Sequence, residues 1–362
     1  MKKRWMKTLR DLVTLPTAAF REQEVIEYIR RWAEERRIDF RQDAVGNIVL
    51  QAGRPDPARR WVFSAHLDHP GFVTTRQQGR SVWAEFRGGV SSGYFKGAAV
   101  WLFAPDGPVR AEVQTVRLEK ATRRRKCRLQ LDRETDVPPG TVGMWDVDEW
   151  DVRNGVVHCR ACDDLAGVAA VLCALDELNR SGQGSAAGLL TRAEEEGFVG
   201  ALAACENRTL TEDGTWLVAI ETSAAQPAAR LGDGVVIRVG DKTRIFDPTL
   251  TGHVTKIATQ LGKRDRYFSF IRRLMPGGTC ESTAYCALGY RATGLCLPLG
   301  NYHNMGSKKI EAEQIHQNDY AGLVKLLVAL AESDTDPEDT DAALRERLGQ
   351  ILESKRAEFD AE

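Results

Sequence analysis

An excess of charge of either sign is what this chain most conspicuously lacks. Its 362 residues carry 50 Lys plus Arg against 51 Asp plus Glu, a formal net charge of −1. With no global field there is no electrostatic pull toward nucleic acid or an anionic membrane surface, and neither is expected as a partner. Long hydrophobic runs are missing as well; the apolar stretches are too short and too often interrupted to span a bilayer. The basic start Met1-Lys2-Lys3-Arg4 is followed by no apolar core and no small-residue cleavage site, which argues against a secretory leader. The eight cysteines form no zinc-finger pattern. Cys159 and Cys162 make a C-x-x-C with no second pair at ribbon spacing. Cys173, Cys205, Cys286 and Cys296 sit in apolar contexts, where free thiols behave as small core residues. A reduced, cytoplasmic setting is therefore expected. No internal repeat divides the chain, whose length suffices for one large domain or two ordinary ones.

What is present reads as an α/β body with an insertion. Helical periodicity runs to about residue 37, broken near Pro16, with Val25, Ile26, Ile29 and Trp32 on one face. A turn at Asp43–Asn47 feeds a strand at 48–50, and a second strand, Trp61–Ala65, delivers His66 and Asp68 at its end. From 74 to 157 short β-rich runs alternate with turn signals such as Gly88-Gly89, Pro138-Pro139-Gly140 and Asn154-Gly155, which predicts a small inserted barrel. Within it, Arg123-Arg124-Arg125-Lys126 has no aromatic interleaving and is expected to be a solvated hairpin. The α/β rhythm then returns: strands near 187–191, 215–220 and 294–297, and helices from about 165, 248 and 319. The expected division is 1–73 with 158–332 as the body, 74–157 as the insert, and 333–362 as an acidic linker and amphipathic helix. That last helix carries Leu344, Leu348, Ile351 and Leu352 on one side, for packing or for an oligomer contact.

Several acidic and imidazole side chains stand at equivalent places in this pattern. His66, Glu194 with Glu195, Glu221 and His303 each lie shortly after an apolar run, and Asp163 lies at the entry to an apolar helix. In open α/β sheets ligands bind beyond the carboxyl ends of the strands. Two imidazoles with several carboxylates and no thiolate suit zinc, cobalt or manganese in a hydrolytic site. A single ion would leave too many carboxylates unneutralised, so two ions sharing a bridging carboxylate are expected. Taken singly, each position has a plainer explanation. Asp163 could be an N-cap, Glu194-Glu195-Glu196 a solvated loop and His66 a core histidine. Glu221 ends a very apolar strand, where an unpaired carboxylate is costly. Cys280 has no His–Asn partnership nearby in sequence to make it a nucleophile.

The run Ala65-His66-Leu67-Asp68-His69-Pro70-Gly71-Phe72 resembles the AHxDxxGF motif of the tetrahedral metallo-aminopeptidases, the glutamyl aminopeptidase family. Asp163-Asp164-Leu165-Ala166-Gly167 is similar to their DDRxG, and Thr191–Ala201 to their TxQEExGxRGA, with the β-rich insert between the first two motifs. The resemblance covers about residues 5 to 330. It implies a zinc-exopeptidase-like fold: a mixed, mostly parallel sheet flanked by helices, with the inserted barrel. Carried over, it implies that Asp163 bridges two divalent ions, zinc foremost, with His66 and Glu221 on one and Glu195 and His303 on the other. Glu194 would be the general base and Asp68 would orient His66. A Gly-rich segment beside the family's substrate pocket makes Thr279 and Glu281 candidates for substrate contact. The family commonly forms twelve-subunit shells, so a homo-oligomer is expected. This sequence departs in having Glu221 for the usual Asp, Leu165 for the usual Arg, and Asn304-Met305 after His303.

The expected activity is removal of N-terminal residues from peptides or small amides. Two other readings share the scaffold: an N-acyl amino-acid deacylase, since the machinery is indifferent to which amide is presented, and a metal-binding assembly protein without catalysis. Glu194 argues against the second, because a protein that only binds has no need of a base.

Overall fold

The amphipathic N-terminal periodicity becomes two helices, α1 (Lys3–Val13) and α2 (Gln23–Arg36), whose buried faces include Trp5, Leu9, Leu12, Ile29 and Trp32. The structure is a computed structural model, described here for residues 2–54, 61–209 and 215–359. Strands β1 (Asp39–Gln42), β2 (Ile48–Gly53) and β3 (Trp61–His66) follow, and β3 is buried at every position. The continuous burial of β3 marks a strand covered on both faces.

The chain then leaves for the barrel through β4 (Gly71–Gln78), β5 (Ser81–Arg87), β6 (Ala99–Ala104), β7 (Gly107–Leu118), β8 (Arg125–Leu131) and β9 (Val142–Trp145). These close in the order β4-β5-β8-β7-β6-β9. Strict alternation along β5 and β6 puts every second side chain inside. Phe72, Phe86, Phe95 and Trp145 fill the interior, with Phe72 4.8 Å from both Phe86 and Trp145 in edge-to-face contact. The expected barrel is therefore present. Strands β10 (Trp150–Arg153) and β11 (Val156–Cys159) are not part of it; they form a small antiparallel sheet with β17 (Glu313–His316).

Helix α3 (Leu165–Ser181) is buried along nearly its whole length. After it come β12 (Ser185–Thr191), α4 (Val199–Glu206), β13 (Trp216–Ala224), β14 (Val235–Asp241), α5 (Pro248–Arg264), β15 (Phe270–Met275), α6 (Glu281–Ala287), β16 (Arg291–Leu299) and α7 (Gln317–Ala331). The large sheet has the order β1-β2-β12-β3-β13-β16-β14-β15. Strands β12, β3, β13 and β16 are mutually parallel, so their carboxyl ends emerge on one rim. The last helix, α8 (Pro337–Phe359), is anchored near its start: Thr249 donates to Asp341 at 3.0 Å and Arg291 pairs with Glu338 at 2.9 Å. Leu344, Leu348, Ile351 and Leu352 are each about half exposed, at 49–53%. Among the described residues no helix is long and apolar enough to cross a membrane.

Candidate metal centre

Each acidic or imidazole side chain picked out in the sequence reaches the rim by a short route. His66 is the last residue of β3, and Glu221 lies within β13, one strand over. Asp163 precedes α3, whose start brings Gly167 under the neighbouring carboxylate. A Cβ at Gly167 would stand 2.2 Å from Asp164 Oδ2, so no larger residue fits without displacing it. Glu194, Glu195 and Glu196 form a single turn after β12, between Ala193 and Gly197, both in the left-handed region. At φ +104° Gly197 occupies a conformation that costs other residues strain. His303 follows β16, in a short turn.

The structure brings the five together as two triads with a common member. His66, Asp163 and Glu221 form one, and Asp163, Glu195 and His303 the other, with one ligand-type atom from each residue lying within 4.8 Å of the rest of its triad. His66 Nε2 lies 3.4 Å from Asp163 Oδ1 and 3.5 Å from Glu221 Oε1. His303 Nε2 lies 3.2 Å from Asp163 Oδ2 and 3.1 Å from Glu195 Oε1. Glu194 Oε2 is 3.9 Å from His66 Nε2. Both imidazoles turn Nδ1 to a main-chain oxygen, His66 to Asp68 at 3.1 Å and His303 to Gly89 at 2.7 Å. An Nδ1–H donated there leaves Nε2 as the lone-pair nitrogen aimed at the carboxylates.

Lone pairs facing carboxylates in a buried place call for cations. Asp163 Oδ1 has no hydrogen-bond partner. Burial alone would lower the basicity of both imidazoles, but Glu194 and Asp163 around His66, and Glu195 and Asp163 around His303, outweigh it and hold both well above the usual histidine range. Burial, reinforced by Asp163, pushes Glu221 up to about 7, and burial with Glu221 and Glu195 raises Glu194 well above the carboxylate range. That donor set, nitrogen and oxygen with no sulfur, fits divalent ions of the zinc, cobalt or manganese type.

Asp68 is fully buried and serves three neighbours. Its carboxylate accepts from the main-chain N–H of Glu194 at 3.0 Å and of Glu195 at 3.1 Å, and lies 3.5 Å from His66 Nδ1. Thr279 lines a cavity of about 150 Å³ that also touches Asp163, Glu194, Glu195, Glu221 and His303. Glu281 is not among that cavity's lining; it is buried, accepting from Ser64 at 2.9 Å and from Thr191. Cys280 is buried, and burial pushes its thiol up to about 12, far from a nucleophile's range.

Four residues to which the sequence assigned no role complete the site. Glu313 accepts from the N–H groups of Cys162 at 2.7 Å, Asp163 at 3.0 Å and His303 at 2.8 Å, tying both triads to one side chain. His69 sets its ring between the main-chain oxygen of Asp163 and the side-chain oxygen of Asn304. Asn304 is fixed in turn by donating to Arg160 O at 2.9 Å. Arg238, on β14, is 2% exposed and lines the cavity. Its Nη1 donates to Ser223 at 3.2 Å, its Nε has no partner, and it pairs with no carboxylate among the described residues. His69 stands within the AHxDxxGF-like run and could have been found there, and Asn304 directly follows His303, at a position where the chain departs from the family pattern; Glu313 and Arg238 sit in no motif.

A parallel strand core presenting carboxylate and imidazole triads at its rim places a candidate metal site where ligands bind in α/β enzymes. The chain belongs to the M42 glutamyl aminopeptidase family, whose family model matches residues 46–326. It is accordingly a peptide-bond hydrolase of a metal-dependent family. Among solved structures it is similar to the Pyrococcus horikoshii TET1 peptidase, which can assemble into a tetrahedron or a large octahedral shell. That similarity is 24% identity and TM-score 0.75, covering 90% of this chain and 99% of that one. It is also similar to a TET aminopeptidase from the marine sediment archaeon Thaumarchaeota archaeon SCGC AB-539-E09, at 17% identity and TM-score 0.77 over 94% and 99% of the two chains. A third is aminopeptidase APDkam598 from Desulfurococcus kamchatkensis, at 18% identity and TM-score 0.76 over 94% and 97%. No curated protein matches the chain.

Proposed function

We propose that the chain removes N-terminal residues from peptides at a dinuclear centre, and the observation that carries this is the pair of triads sharing Asp163. Asp163 would bridge two divalent ions, zinc foremost with cobalt or manganese as alternatives; His66 and Glu221 complete one side, Glu195 and His303 the other. Bound there, the ions would polarise the scissile carbonyl and acidify a water held in the site. Glu194 is the general base: it borders the cavity, burial with Glu221 and Glu195 raises its carboxyl well above the usual carboxylate range, and it stands beside the triads without belonging to either. It takes the proton of the attacking water and delivers it to the departing amine, so no acyl-enzyme is required. Asp68 holds the turn that carries Glu194 and Glu195 and steadies His66.

The family's description names glutamyl substrates, and Arg238 supports that preference here. A buried guanidinium that borders the cavity and pairs with no carboxylate among the described residues suits a carboxylate on the first residue of the peptide. Thr279 borders the same wall. The relatives' assemblies support a homo-oligomer, with a twelve-subunit shell as the expected form, and the free, mostly buried cysteines fit a reduced, cytoplasmic setting.

A panel of aminoacyl p-nitroanilides tests the reading: Glu, Asp, Leu and Lys, each with an N-acetylated control, before and after exhaustive chelation. Cleavage of free-amine substrates only, Glu and Asp foremost, abolished by chelation and restored by zinc or cobalt, is the expected result. Cleavage of the acetylated compounds alone would make the enzyme a deacylase, and activity that survives chelation would refute the mechanism.

A further inference from the structure

The basic run at 123–126 has no part in hydrolysis; it lies at the hairpin between β7 and β8 with Arg123 and Lys126 exposed, but Arg124 is turned inward. Arg124, just before β8, spans two carboxylates: Nε donates to Glu196 Oε2 at 2.9 Å and Nη1 to Glu85 Oε2 at 3.1 Å. Glu85 belongs to barrel strand β5, and Glu196 is the third residue of the acidic turn. The side chains of Arg124, Glu85 and Glu196 are only 23%, 15% and 14% exposed. An exposed ion pair would contribute little, but this one is largely withdrawn from solvent and makes charge-assisted hydrogen bonds on both sides. Lys126 and Arg87 also converge on Glu85, which anchors the arrangement to the barrel wall.

The turn needs such a restraint. It is a single turn entered and left through left-handed residues, Ala193 on one side and Gly197 with Phe198 on the other, so no continuous helix fixes its direction. From within, the Asp68 carboxylate holds the N–H groups of Glu194 and Glu195. From outside, Arg124 holds the side chain of Glu196. We propose that Arg124 is a positioning residue, through which the inserted barrel clamps the acidic turn and so sets where Glu194 and Glu195 stand. For its kinetic consequence this rests on the roles given to those two residues above; the mechanical clamp does not.

Hydrogen exchange on the full chain, read by mass spectrometry on peptides covering 192–199, tests the clamp without reference to activity. Arg124→Met keeps the aliphatic stem and removes the donors. It should speed exchange of the 194–198 amides by about 10-fold or more through local opening, with peptides from α3 and β13 unchanged. Glu196→Gln should do much the same, and Arg124→Lys should restore most of the protection. On the metal-loaded enzyme Arg124→Met should lower kcat by about 10-fold or more with KM nearly constant, since small misplacements of reacting groups are costly in rate. Unchanged exchange in the turn, or an equal acceleration throughout the molecule, would overturn the clamp. If the parent chain hydrolyses no amide but the turn-specific change appears, the clamp stands and the reading of the site fails. If the parent is active and Arg124→Met matches it in exchange and kcat, the site reading stands and the clamp fails.

Discussion

Glu313→Ala is the substitution whose cost can be worked out most directly. The carboxylate accepts three buried N–H groups, from Cys162, Asp163 and His303, at 2.7 to 3.0 Å. A buried donor left without a partner costs about 1–3 kcal/mol, so three would cost roughly 3–9 kcal/mol if nothing moved. A water entering the space vacated by the side chain recovers part of this, and we expect a loss of about 3 kcal/mol, a large fraction of a domain's usual margin. Glu313→Gln should lose less, because one oxygen remains to accept, although its amide N–H then faces a main-chain donor. Urea unfolding of the chelated proteins, followed by tryptophan fluorescence, measures the difference. Because the same N–H groups belong to two of the cluster's residues, zinc affinity should also fall by about 10–100-fold, as for partners that orient ligands elsewhere. A loss below about 1 kcal/mol with unaltered zinc affinity would refute the claim that Glu313 ties the two triads together.

Glu194→Gln should reduce turnover by about 10²–10⁴-fold, the usual range for a lost general base, with zinc content by plasma mass spectrometry unchanged; an active variant would remove Glu194 from the mechanism. His253 predicts a pH dependence of stability. It stacks on Trp61 at 5.9 Å, its Nε2 has no partner, and burial, then Lys256, lowers it from 6.5 to about 4. The unfolded chain therefore takes up the proton first, so the contribution is complete above pH 6.5 and is lost as pH falls toward 4. Between pH 7.5 and 5 it should account for about 2 kcal/mol, and His253→Phe should flatten the urea-derived stability by that amount. Parallel pH profiles for the two proteins would contradict it.

The parts of the site that could be read from the sequence were those where a residue type coincides with a local pattern. His66 ends an apolar strand, Glu194 and Glu195 follow one, Glu221 follows the apolar run inside β13 and Asp163 opens an apolar helix, so the local pattern points them to one rim, although β13 itself continues past Glu221 to Ala224. Glu313 begins a four-residue strand whose partner, β11, lies more than 150 residues earlier, and nothing local marks it. Arg238 follows three buried apolar residues of β14, where a single Arg reads as an edge or an exposed position; only the assembled cavity gives it a use. Arg124 was misleading for the opposite reason. A run of basic residues is normally solvated, and its partner Glu196 comes from the body of the protein, 72 positions away. The same limit applies to β10 and β11, whose turn signals match the barrel's while their pairing belongs to β17.

The shared carboxylate is most directly tested by counting ions. Zinc titration of the chelated protein, with bound metal quantified after desalting, should saturate at two per chain, and Asp163→Asn should lose both together, because each triad contains Asp163. Saturation of the parent at a single ion, or retention of two by Asp163→Asn, would contradict the dinuclear centre.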